Sequence, residues 1–303
     1  MSSIAYTTDQ EMIEYHRLCG SRNVNFWRLS SRAGFTDFKP GDLLFFYAYG
    51  QSQRKKGLVG YAHYEGSYRL SLDEMWRRYR TANGYSSKAK LKEAIEGASR
   101  KGSVPDKMNC LSLKDCVYFS SPVFPEEAGL HINDRLESFT YLDKNDEAAT
   151  VRILRLAEER GIDVWAESQT YEPDSIFALD EIRQQLRLIQ ARMPEEDRGE
   201  RELARCRRLV KKLVVSGEYE PVRGSVCDVF RVTEGRVEIT VPFVSGTADR
   251  MKRIRNILGK LLLYRITADE IGLRGGSPSF AIVTEEDDEE KEFLREAVRY
   301  VGL

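Results

Sequence analysis

The apolar positions of this chain follow two rhythms, and the change between them comes near residue 144. In the first stretch, "GDLLFFYAYG" (41–50) and "GLVGYAHYEG" (57–66) are short, near-continuous apolar runs closed by glycine. Runs of that length and density predict buried strands, joined here by the basic loop "QSQRKKG". In "SLDEMWRRYRTANG" (71–84) the period becomes helical. Met75, Trp76 and Tyr79 follow a Ser71 cap and early acids, and Asn83-Gly84 ends the helix. "SSKAKLKEAIEGASRKG" (86–102) predicts a second helix, and "CVYFSSPVF" a return to strand. Residues 1–143 thus read as a β-rich, barrel-like domain with a helical insertion.

Beyond 144 the stripes are amphipathic. Helices are predicted at 145–162, 175–193 and 194–219, the last strongly basic. "GSVCDVFRVTEGRVEITVPFVSG" (224–246) reads as strand, turn, strand; a helix (247–272), a strand (278–286) and a terminal helix (288–303) follow. That order is α/β. The expected architecture is therefore a two-domain α+β / α/β chain: 1–143 barrel-like, 144–193 a helical linker, 194–303 an α/β domain.

A length of 303 residues suits about two domains. The net charge of −1 means that nucleic-acid binding would rest on local basic patches, not on overall charge. No apolar run approaches the roughly 18–20 residues of a membrane span, and "MSSIAYTTDQEM" lacks a secretory pattern. The five cysteines show no CxxC spacing, which predicts reduced thiols, a cytoplasmic protein and no structural zinc. With only three histidines (His16, His63, His131), a histidine-based metal centre has few ligands to draw on. The acidic run "EEDDEEKE" (285–292) reads as a solvated loop and an acid-rich helix start.

Candidate chemistry centres on Asp228 and Glu238, one on each predicted strand. Two carboxylates projecting from one sheet face, with the Ile239 carbonyl between them, would form an oxygen ligand set for Mg²⁺ or Mn²⁺. The plainer alternative is a pair of surface acids on a hairpin. Residues from about 195 to 285 resemble the PD-(D/E)XK nuclease superfamily, in particular its restriction-like members. The resemblance implies Glu202 as the helix acid, Asp228 and Glu238 as the core acids, and Gly259-Lys260-Leu261-Leu262 with Tyr264-Arg265 as the following helix signature. The sequence departs from that pattern twice. Thr240 stands where the family has its strand lysine, and Lys260 where the helix usually has glutamine. Either Lys260 replaces the missing lysine, or the fold has lost its chemistry and Lys260 is a phosphate-contacting or solvated residue. Basic residues flank the core: Arg205, Arg207, Arg208, Lys211 and Lys212 before it, and Arg250, Lys252, Arg253 and Arg255 after it. Grouped on one surface, they would hold a phosphate backbone without reading sequence.

A second signal lies in "VNFWRLSSR", "FKPGDLLFF", "VGYAHYEG" and "SLDEMWRRYRTANGYSS". These segments, in order from about 22 to 135, resemble the PUA-like superfamily, close to EVE-type domains and to the domain preceding HNH nucleases in modification-dependent restriction enzymes. The resemblance implies a pocket for a flipped modified base, with Asn25, Trp27, Ser30, His63 and Tyr64 as candidate walls. Together the two resemblances lead to the expectation of a modification-dependent restriction endonuclease acting on modified double-stranded DNA, as a homodimer when it cuts both strands. A catalytically inactive nucleic-acid-binding protein and a binder of modified RNA are the alternatives.

Overall fold

Apolar runs without alternation become strands covered on both faces. The computed structural model describes residues 3–29, 35–49, 55–133, 135–163, 173–194, 199–244, 250–285 and 289–300. Its elements form two sheets in a mixed α/β arrangement, and the chain divides into two compact units, Met1–Phe177 and Ala178–Leu303.

In the first unit, β1 (Ser3–Thr7), α1 (Gln10–Leu18), β2 (Val24–Arg28), β3 (Leu43–Tyr49) and β4 (Lys56–Leu70) precede α2 (Leu72–Tyr79) and α3 (Lys88–Ala98). Then come β5 (Met108–Val123), β6 (Phe139–Tyr141) and α4 (Ala149–Arg160). The strands pair in the order β2-β5-β4-β3-β1-β6, with β1 parallel to β3 and the other neighbours antiparallel. Successive residues point to opposite faces of a sheet, so one run fills two cores. Leu43, Phe45, Tyr47 and Tyr61 pack with Ile153, Leu154 and Ala157 of α4. Leu44, Phe46, Ala62 and Tyr64 pack with Met12 and Ile13 of α1. This double burial explains why β3 reads as an uninterrupted apolar run. The expected barrel is realised as a six-stranded sheet whose outer strands are β2 and β6. Arg28 of β2 reaches across to the carbonyl of Glu137, just before β6, at 3.1 Å.

The helical insertion is set by its caps. The Ser71 hydroxyl accepts from the Glu74 N–H, and the Glu74 carboxylate accepts from the Ser71 N–H, a reciprocal box. After α2 a single 3₁₀ turn, Arg80–Asn83, ends at Gly84 with φ of 90°. Any Cβ there would overlap Met12 Cγ, so this position needs glycine for both its conformation and its size.

In the second unit, α5 (Pro173–Ala191, of which Ala178 onward belongs here) and α6 (Glu200–Val215) precede β7 (Glu220–Pro221), β8 (Val229–Thr233) and β9 (Arg236–Pro242). Then follow α7 (Arg250–Ile271), β10 (Ser279–Val283) and α8 (Glu289–Tyr300). The sheet order is β10-β9-β8-β7, with β10 parallel to β9 and joined to it through α7. Glu234 and Gly235 both have positive φ (51° and 74°), giving the tight two-residue turn that suits the twist of a hairpin. One face of this sheet (Phe230, Val237, Ile239, Val241) meets α5, α7 and α8. The other meets α6 through Val229, Cys206 and Val210.

The boundaries differ from those expected. The 144–193 segment is not a linker set apart from both cores. α4 belongs to the core of the first unit, while Ile182, Leu186 and Ile189 of α5 lie in the core of the second. An amphipathic helix exposes a wide apolar stripe unless it packs against a core, and both helices do so.

Candidate functional site

Asp228 sits immediately before β8 and is 1% exposed. Its N–H donates to Ser225 Oγ at 3.0 Å, and its carbonyl accepts from the Val222 N–H at 2.9 Å. These bonds hold the backbone while the side chain meets α7. Lys260 Nζ lies 2.8 Å from Oδ1 and 2.7 Å from Oδ2, and the Tyr264 hydroxyl donates to Oδ2 at 2.7 Å. Lys260 and Tyr264 are four residues apart, so they share a helix face. The Tyr264 oxygen is also 2.6 Å from the side-chain amide of Gln190. A phenol has one proton to give. The Gln190 atom facing it is Oε1, an acceptor, so this one proton is shared between two acceptors, Gln190 Oε1 and Asp228 Oδ2. A buried carboxylate is thereby neutralised by one cation and steadied by one neutral donor.

Glu238 lies elsewhere. The β8–β9 register pairs Arg231 with Glu238 and Val229 with Thr240, so Glu238, Thr240 and Val229 share a face. Asp228 shares the opposite face with Phe230. Glu238 accepts two hydrogen bonds from Arg231, at 2.8 and 3.1 Å, and one from the Tyr219 hydroxyl at 3.4 Å. The expectation that Asp228 and Glu238 project from one sheet face is thus corrected: a two-residue turn fixes a register that separates them. Ile239 is a fully buried ladder residue paired with Phe230 on one side and Phe280 on the other. Glu202 is in the first turn of α6, the helix on the Val229 face. Thr240 is 3% exposed, and its hydroxyl has no hydrogen-bond partner among the described residues.

The donor set does not fit Mg²⁺ or Mn²⁺ in this arrangement. Asp228 offers one carboxylate, with both oxygens already engaged by Lys260 and Tyr264. Glu238, the intended second ligand, is held across the sheet by Arg231. Among the described residues no three His, Cys, Asp or Glu side chains form a group able to hold a metal ion.

The flanking cations are unevenly placed. Arg207, Arg208, Lys211 and Lys212 are exposed on α6, whereas Arg205 is tied to Glu285. Lys252 and Arg255 are exposed on α7.

In the first unit the candidate pocket residues separate into three groups. Asn25 is fully buried and donates to Asn83 Oδ1 at 2.8 Å; Trp27 Nε1 donates to the Asn83 carbonyl at 3.3 Å. Asn83 in turn donates to the carbonyls of Arg80 (2.7 Å) and Met75 (3.2 Å). The structure therefore brings Asn25 and Trp27 together as ties that hold the 3₁₀ turn against β2. His63 and Tyr64, adjacent in a strand, face opposite ways. His63 lies edge-on to Tyr61, with Nδ1 4.0 Å from Asp115, while Tyr64 stacks on Phe38 at 4.8 Å. They do not form one aromatic wall. Ser30 lies outside the described residues.

What assembles instead is a row of aromatic rings ending in a cation. Tyr6, Phe139 and Phe35 follow one another at centroid separations of 5.6 and 5.0 Å, and Phe35 continues to Tyr64 at 5.9 Å. Arg28 Cζ stands 3.9 Å above the Tyr6 ring. Burial pulls the Arg28 guanidinium below its ordinary pKa and pushes the Tyr6 phenol above its own, the latter partly offset by Arg28 and by a hydrogen bond with Ser138. Among the described residues no carboxylate bonds to Arg28. The sequence signal for it was the alternation in "VNFWR", which puts Phe26 and Arg28 on one face. Close by in sequence, the Tyr141 hydroxyl accepts from the Thr36 and Asp37 N–H groups at 3.2 Å each.

Comparison with known proteins finds no matching protein family and no matching curated protein. Among solved structures, the ASCH protein from Zymomonas mobilis is 16% identical to this chain, over 51% of this chain and 95% of its own, with a TM-score of 0.37. Two single-residue variants of that protein match at the same identity, over 52% and 51% of this chain and 99% and 96% of theirs, with TM-scores of 0.37 and 0.35.

Proposed function

We propose that this protein binds nucleic acid and reads a modified base with its first unit. The observation that carries the reading is Arg28, a partly buried guanidinium stacked on Tyr6 at the end of an aromatic row and lacking a carboxylate partner among the described residues. A phosphate would supply the missing anion, and the partly buried rings of Phe35 and Phe139 would offer a face for a base to stack on. The test is fluorescence anisotropy with modified duplex DNA, unmodified duplex DNA and single-stranded RNA, for wild type and Arg28→Ala. Tighter binding of one modified ligand, weakened about tenfold or more by Arg28→Ala, supports the reading. Equal binding of modified and unmodified ligands refutes the reader role, and preference for RNA moves it to RNA.

One observation favours a second reading, a nuclease acting on modified DNA: Lys260 is in contact with Asp228, the acid its relocation would have to serve. Plasmid cleavage in Mg²⁺ or Mn²⁺ by wild type, Lys260→Ala and Glu238→Ala separates the two. Absence of cleavage, with binding retained, leaves a reader. Cleavage lost in both variants requires Glu238 and Asp228 to act together, against the geometry described above.

A further inference from the structure

Helix α7 carries four exposed large apolar side chains, Met251, Leu262, Leu263 and Ile266, between 40% and 52% accessible. Helices of globular proteins usually bury such a stripe. Six exposed positions on this helix form a pattern: Arg255, Gly259, Leu262, Leu263, Ile266 and Glu270. At 100° per residue they lie within an arc of about 100°, which exposed Lys252, three residues before Arg255, also enters; its mirrored place, Leu273, falls beyond the helix, so the pattern is taken from Arg255 to Glu270. Their spacing reads 4, 3, 1, 3, 4, the same in both directions. Lys260 and Tyr264 project from another side, toward Asp228.

We propose that this face is a self-association surface, and that its occupant is α7 of a second copy of this chain, packed antiparallel about a two-fold axis between Leu262 and Leu263. An isologous contact needs a patch complementary to itself, and a symmetric spacing meets that need when unlike residues occupy the mirrored places. Here they do. Arg255 faces Glu270 of the second copy, so the two ends carry opposite charges. Ile266 faces Gly259, where a Cβ would find open space and the helix backbone is bare. Leu262 faces Leu263 at the centre. A glycine in mid-helix weakens the helix, and the room it leaves for the opposing isoleucine gives it a purpose. Among the described residues Glu270 has a loose pair with Arg192, 3.8 Å apart and more than half exposed on both sides. That pair can yield to Arg255 of the second copy at little cost.

The stripe spans about 22 Å of helix axis, less than a standard stable interface provides. The dimer is therefore a weak one that dissociates on dilution. It is independent of either reading of the nucleic-acid chemistry. The test is sedimentation velocity of the full chain from micromolar to submillimolar concentration. A concentration-dependent monomer–dimer equilibrium is expected for wild type. Arg255→Glu and Glu270→Arg should each raise Kd about tenfold or more by placing like charges together, and the double exchange should restore dimerisation. Leu262→Glu should abolish it, with far-UV circular dichroism confirming an intact fold. A wild-type monomer at the highest concentration overturns the proposal. So does a dimer indifferent to the single charge reversals, or single reversals that the double exchange does not rescue.

Discussion

At the scale of single residues, the Asp228 cluster and His16 make the sharpest demands. Asp228 and Lys260 are both sequestered, with side-chain exposures of 0% and 10%. Removing one partner strands the other in a poorly solvated place. Lys260→Met should therefore destabilise the fold by about 3–5 kcal/mol, and the double change Asp228→Asn with Lys260→Met by clearly less. Tyr264→Phe, which deletes a single donor, should cost about 1–3 kcal/mol. Urea unfolding of the three variants measures this order. His16 is fully buried, and neither ring nitrogen has a hydrogen-bond partner among the described residues. Burial pulls its pKa from 6.5 down to about 4. The unfolded chain thus takes up a proton between those two values while the folded chain does not, and stability falls as pH drops through that window. For this group alone the loss at pH 5 relative to pH 7 is about 2 kcal/mol. The pH slope of unfolding in wild type minus that in His16→Leu isolates it, and a difference of zero rejects the assignment.

At the scale of elements, caps and registers decided what the sequence could reveal. The Ser71–Glu74 box was legible because its two residues fall at a fixed spacing before an apolar stripe. Ser71→Ala should cost about 1 kcal/mol, read as a lowered midpoint of thermal unfolding. Strands β3, β4, β8, β9 and β10 and the larger helices were visible for a similar reason, since each carries either a dense apolar run closed by glycine or its own periodicity. By contrast β1, "SIAYT", is five residues buried on nearly every side, and β6 has only three residues. Neither is long enough to display a period, and both exist because β3 offers β1 a parallel edge and β1 then offers one to β6. The errors at the candidate sites have the same origin. A two-residue turn at Glu234-Gly235 dictates that Arg231 opposes Glu238, which puts Asp228 on the reverse face. The turn was readable, but its consequence for parity required counting the register. His63 and Tyr64 fail as a pair because neighbours in a strand cannot face the same way. The cation above Tyr6 needed tertiary structure, since β2 and β1 are four places apart in the strand order and Arg28 meets Tyr6 only because the sheet curls to bring its two ends together.

At the scale of the whole molecule, the change of rhythm near residue 144 was real but displaced. The amphipathic helices that begin there serve two cores, and the division falls inside α5, between Phe177 and Ala178. Leu186 is fully buried in the core of the second unit, and Leu186→Ala should cost that unit about 2–5 kcal/mol. The chain's three tryptophans, Trp27, Trp76 and Trp165, all precede the division. Trp27 and Trp76 are described residues of the first unit; with Trp165, which lies outside the described residues, replaced by Phe, intrinsic fluorescence reports the first unit alone, while the amide circular dichroism signal sums both. When Leu186→Ala is added to that background, ellipticity should begin to fall at lower denaturant than without it while the tryptophan emission transition stays where it was. If the two probes shift together, the units melt as one cooperative body. The accident of where the indoles fall thus provides an optical means of asking whether the division is energetic as well as geometric.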